Sequence, residues 1–150
     1  MDLRSSLPAL LPLAIDWAEA ASAYAHANGV SLDERGQMIA RRVGVQHPEN
    51  VRLMPVDELP WPGDPALRAA ADATGLLGPG IVGITLGYSV YVRRGFENTR
   101  LLSHEFRHVF QYERAGSIGK FLPVYLSEII EVGYEDSPLE VDARKHEFDF

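Results

Sequence analysis

Over residues 7–27 the apolar positions Leu10, Leu13, Ala14, Trp17, Ala21 and Tyr24 recur every three or four residues, the spacing of one helix face. Pro8 suits a first turn, Pro12 predicts a kink or a later start, and Asn28-Gly29 ends the element. Ser31-Leu32-Asp33-Glu34 has the form of a capping box. It opens a short helix to about Val43, with Met38, Ile39 and Val43 inward and Gly44 as the stop. Residues 51–56 begin by alternating and read as a short strand, which Pro55 pushes toward a sheet edge. A proline-rich connection follows over 59–65. Asp64 and Pro65 then supply the cap and first position of a helix carrying Leu67, Ala70, Ala71 and Leu76 or Leu77.

Residues 81–92 carry the strongest strand pattern. Read as one long strand, Ile84, Leu86, Tyr88, Val90 and Val92 point one way, and Thr85, Gly87, Ser89 and Tyr91 the other. A hairpin around Gly87 is the alternative. A helix follows, capped by Asn98 or Thr99 and stopped by Gly116, with Leu102, Phe106, Val109 and Phe110 as its apolar stripe. Residues 121–132 form another, with Pro123 in its first turn and Gly133 after its end. Ser137-Pro138 opens a last helix toward His146. The expected fold is α+β, mainly helical with a small sheet beside the 99–116 helix. A length of 150 residues suits one domain over 1–150.

Composition changes this picture in three ways. A net charge of −7 argues against a nucleic-acid partner, which calls for a basic surface. The absence of cysteine excludes disulfides and thiolate metal sites, so any metal must use His, Asp, Glu or water. No run of 18 apolar residues exists, so no membrane span is expected. The apolar stretch around residues 7–15 faintly mimics a signal peptide, but Asp16, Glu19 and two prolines interrupt it, and a cytoplasmic location is expected.

The stretch with chemistry is His104-Glu105-Phe106-Arg107-His108, an H-E-x-x-H. Two imidazoles four apart on a helix lie on one face and can close on a single Zn²⁺ at ~2.0–2.1 Å from each nitrogen. Glu105 flanks that face, within reach of a metal-bound water without being a ligand. A charged helix face with two chance histidines is the plain alternative. His26 and His47, near helix ends, read as surface or hydrogen-bonded histidines.

This stretch resembles the active-site helix of zincin metallopeptidases, and residues 83–144 resemble the gluzincin branch. The resemblance implies a zinc-dependent peptidase acting on a peptide or protein substrate. Glu105 would be the general base, and a Glu on a later helix the third ligand. Glu140-Val141-Asp142-Ala143 is similar to the E-x-x-A helix of small gluzincin-like proteins, which makes Glu140 the leading third ligand with Glu128 behind it. Glu131, Asp142 and His146 are further candidates, and Asp142 reads better as an acid that orients a histidine. Ser137-Pro138-Leu139-Glu140 also fits a capping box, which would occupy Glu140 otherwise. Tyr134 or His146 would stabilise the oxyanion, although Tyr134 equally suits core packing. In zincins the strand before the helix lines the cleft and pairs with substrate, which gives that role to the strand within 81–92. The tail from His146 to Phe150 is a candidate for lying in the cleft and keeping the protein latent. Two rival readings remain: a zinc-stabilised, non-catalytic interaction module, and a metal-free scaffold. His₂-carboxylate sites also accept iron or other divalent metals.

Overall fold

The computed structural model describes residues 2–149. The fold is α+β: a four-stranded sheet with helices on both faces. Helix α1 (Leu3–Asn28) begins at Asp2, whose carboxylate accepts from the Ser5 N–H. It runs through both Pro8 and Pro12 rather than starting after them. Both prolines are exposed, so the carbonyls they leave unpaired can face water.

Strand β1 (Val30–Ser31) absorbs the serine expected to cap the next helix. Helix α2 (Glu34–Arg42) is capped two residues later, by Asp33, which accepts from the Gly36 N–H at 2.8 Å. Ile39 and Val43 are buried as expected, but Met38 is exposed. A 3₁₀ turn over Pro48–Asn50 leads into β2 (Arg52–Val56). Helix α3 (Pro65–Thr74) starts at the Asp64 cap with Pro65 first and ends at Gly75, in the left-handed region at φ 76°. None of its residues is buried.

The expected single strand over 81–92 is instead a hairpin of β3 (Gly83–Leu86) and β4 (Ser89–Arg93). Leu86 pairs with Ser89, so Gly87 and Tyr88 form a two-residue loop, with Gly87 at φ 67° and Tyr88 on the ordinary side. Glycine first and φ > 0 there is the pattern of a type II′ turn. The reversal changes the faces. Ile84 and Leu86 share a side with Ser89 and Tyr91, while Thr85 shares its side with Val90 and Val92.

The strand order is β1-β2-β4-β3, with β2 parallel to β4 and the other pairs antiparallel. Strand β2 is therefore interior, not at an edge. Pro55 is tolerated because β1 pairs only with Arg52 and Leu53, so β2 has one neighbour at Pro55.

Helix α4 (Thr99–Ala115) packs on β3 and β4 and is capped by Asn98, which accepts from the Leu101 N–H. Its inward stripe joins α2 and the sheet in one cluster of Ile39, Val43, Val51, Val92, Phe106 and Val109. Helix α1 covers the opposite face, where Tyr91 donates its hydroxyl to the Ala21 carbonyl and Leu86 packs with Ala18. Helix α5 (Ile118–Val132) lies against α1 and α4, and α6 (Pro138–Lys145) against α4. No helix among the described residues is long and apolar enough to cross a membrane.

Candidate metal centre

Helix α4 places the two imidazoles one turn apart, with ring centroids at 5.0 Å. Helix α6 brings Glu140 up to both. Glu140 Oε1 lies 3.1 Å from His104 Nε2, and Oε2 lies 2.9 Å from His108 Nε2. One donor atom from each of the three residues falls within 4.8 Å of the others. Glu140 is 1% exposed, and Tyr125 of α5 donates its hydroxyl to Oε2 at 2.7 Å. The rival cap role is not taken up. Ser137 makes no side-chain cap bond and donates to the Tyr134 carbonyl instead.

The far nitrogens are held by acceptors. Gln111 gives both amide hydrogens away, to the Leu139 carbonyl and to Asp142 Oδ2, each at 2.9 Å. Its carbonyl oxygen therefore faces His108 Nδ1, 2.7 Å away. Asp142 is fixed in turn by Arg107, whose Nε and Nη2 donate to its two oxygens. For His104 the acceptor is Glu147 Oε2, 2.8 Å from Nδ1. Both rings thus carry a hydrogen on Nδ1 and turn Nε2 toward the shared centre, the tautomer a metal ligand needs.

Electrostatics follow from this crowding. Burial opposes a charge on His104, but hydrogen bonding to Glu140 and the nearby Glu105 and Glu147 carboxylates outweigh it and raise its pKa to about 9. Burial also works against charge on His108, and Glu140 and Glu105 again raise it. Burial would raise the Glu140 carboxyl, yet the two imidazoles and Tyr125 hold it well below its usual range. Without a metal, protons on the imidazoles neutralise a carboxylate that stays ionised.

Glu105 points along the sheet side. Its Oε1 lies 2.8 Å from the Thr85 hydroxyl, and its main-chain oxygen lies 3.0 Å from the same group. A Cβ on Gly83 would come within 3.2 Å of Oε2, so the absent side chain makes room for this carboxylate. Tyr134 is half-buried beside Glu140 and Glu105. Burial first, then those two carboxylates, raise its pKa, so the phenol remains a neutral donor.

The remaining sequence candidates lie elsewhere. Glu131 pairs with Arg4 at 2.9 Å on the surface. Glu128 is not in the cluster, and its Oε1 is buried with no hydrogen-bond partner. His146 contacts the Asp142 carbonyl through Nδ1 at 2.8 Å and does not reach the histidine pair. Asp142 does orient a histidine, but through Gln111. The described part of the tail, as far as Asp149, does not line the cavity beside Glu105 and Glu140. The Phe148 N–H donates to Ser103, its ring lies under the Arg42 guanidinium, and it packs on the α2–α4 core. Phe150 falls outside the described residues.

Sequence reasoning missed Thr85, Gln111, Tyr125 and Glu147. Only Gln111 left a local signal, three residues after His108 on the same helix.

Glu105, His108, Tyr134 and Glu140 line a cavity of about 140 Å³ walled otherwise by α1, α3, β3 and α5. Three nitrogen or oxygen donors converging from two helices, with a further carboxylate on the adjoining wall, suit a small divalent cation. No family model, no curated protein and no solved structure matches this chain.

Proposed function

We propose that the protein is a zinc-dependent peptide hydrolase of zincin type. The observation that carries this reading is the convergence of His104 Nε2 and His108 Nε2 on the carboxylate of Glu140, with both Nδ1 atoms held by acceptors and Glu105 on the adjoining cavity wall. His104, His108 and Glu140 would hold the metal. Bound there, zinc supplies Lewis acidity and makes water a nucleophile near neutral pH. Glu105 takes the proton from the attacking water and delivers it to the leaving amine. Thr85 anchors one oxygen of that carboxylate and fixes the direction of the other. Tyr134, protonated at neutral pH, is a hydrogen-bond donor for the carbonyl oxygen as it gains charge.

Glu105→Gln tests this directly. The variant should retain one zinc per chain by elemental analysis and lose hydrolysis of a peptide library by at least about 100-fold. His104→Ala should lose the metal. Full activity in Glu105→Gln would sink the reading.

One observation favours a second reading. Glu140 is enclosed, and each of its oxygens is already engaged. A zinc-stabilised module without turnover would use such a closed centre to hold α6 on α4. Chelation would then lower the melting temperature sharply while no peptide is cleaved at any zinc concentration.

A further inference from the structure

Arg100 stands one turn before His104 on α4. Its guanidinium holds two carboxylates from the segment after α6. Nε and Nη2 donate to the two oxygens of Asp149, at 3.3 and 2.8 Å, and Nη1 donates to Glu147 Oε1 at 3.1 Å. The second oxygen of Glu147 lies 2.8 Å from His104 Nδ1. One carboxylate therefore bridges Arg100 and a histidine of the centre. Between the two acids, Phe148 anchors the chain itself. Its N–H donates to the Ser103 hydroxyl at 3.2 Å, and its ring packs on the α2–α4 core under Arg42. Ser103 is fully buried, and its own hydroxyl donates to the Arg100 carbonyl.

These contacts divide the work. An apolar ring on a packed core fixes where the segment runs. Aiming the carboxylate is a separate matter. A glutamate side chain has several torsions to fix, and that of Glu147 is 21% exposed, so water competes for its oxygens. An exposed ion pair adds little to stability, but a guanidinium fork limits a carboxylate to few orientations. We propose that Arg100 is a positioning residue for the metal centre: it turns Glu147 so that the second oxygen meets His104 Nδ1 and the ring presents Nε2 toward Glu140. The proposal rests on the metal-centre reading and adds a residue that touches neither metal nor substrate. Its sign is opposite to that of a simple charge effect. Removing a positive charge near a cation site should tighten zinc binding. Removing the group that aims Glu147 should weaken it.

Zinc affinity is measured on the full chain by competition with a chromophoric chelator at about 0.15 M salt, where distant exposed charges are screened. Arg100→Met keeps the apolar stem and should weaken zinc binding about tenfold, the lower end of what loss of an outer partner costs. In a Glu147→Ala background the same change should alter affinity by less than about twofold, because the carboxylate it aims is gone. Hydrogen exchange at the Phe148 amide of the metal-free chain should be unchanged in Arg100→Met, since the ring still holds the segment. Unchanged or tighter zinc binding in Arg100→Met overturns the proposal. So does an equal loss in the Glu147→Ala background. So does a Phe148 amide that becomes freely exchanging, which would make docking of the segment the cause. A parent chain that takes up no zinc removes the metal-centre reading and the proposal with it. Normal uptake with no loss in Arg100→Met removes the proposal alone.

Discussion

The two sides of α4 face similarly aliphatic neighbours and differ in how closely those neighbours pack. Toward α2 and the sheet, Phe106, Val51 and Val90 are 0% exposed and Ile39 and Val109 1%. Toward α3, aliphatic side chains of α1, α3 and α5 line a cavity instead. Helix α3 has no buried residue, whereas the shorter α2 buries three. Apolar content therefore does not decide between core and cavity. The packed side fixes where α4 stands, and the open side leaves its polar edge something to face.

The largest expected contrast tests that difference. Phe106→Ala should cost about 4 kcal/mol, because the void it leaves cannot collapse. Leu67→Ala on α3 should cost about 1 kcal/mol or less, since its side chain is only half-buried. Equal losses in urea unfolding would erase the distinction between the two sides.

A pH series on the metal-free protein comes next. The His104 pKa is about 9 when folded, against an ordinary value of 6.5. Its contribution is thus fully present below pH 6.5 and is lost as pH rises through 9, an effect on the order of 3 kcal/mol. Glu140→Gln should flatten that slope. A slope unchanged in the variant would mean that other groups carry it.

Glu147→Gln is the smallest change. It replaces the carboxylate beside His104 Nδ1 with a neutral amide and should weaken zinc binding by about 10- to 100-fold, with little effect on melting of the metal-free chain. Unchanged affinity would show that ring packing alone orients His104.

Much of the fold was legible where a single element carries its own signals. Helix α4 has its cap, stripe and glycine stop in the sequence, and Pro138 marked the start of the helix that delivers Glu140. The start of α2 was misplaced because Ser31 and Asp33 are both good caps, and pairing with Arg52 drew Ser31 into a strand. The hairpin around Gly87 ranked only second to one long strand because residues 81–92 alternate acceptably as one strand. Only the neighbours of Ile84 and Val90 reveal that these lie on opposite faces. Tyr125 and Glu147 could not be found locally, because their roles depend on how α5 and the tail fall beside α4. The cavity was invisible for a related reason: Leu67, Ala70 and Ala71 have the same spacing whether a helix seals or spans a gap.

The turn between α5 and α6 is exposed at Gly133, Glu135 and Asp136, and the centre is completed from beyond it. A cut between Glu135 and Asp136 would sever α6 from the preceding chain while leaving Glu140 and Asp142 on one piece and Arg107, Gln111 and the histidine pair on the other. The two pieces would remain joined through Arg107, Gln111 and the histidine pair. If the centre holds a metal as proposed, the ion would tighten that association, and fragment reassembly would report its binding without a substrate being known.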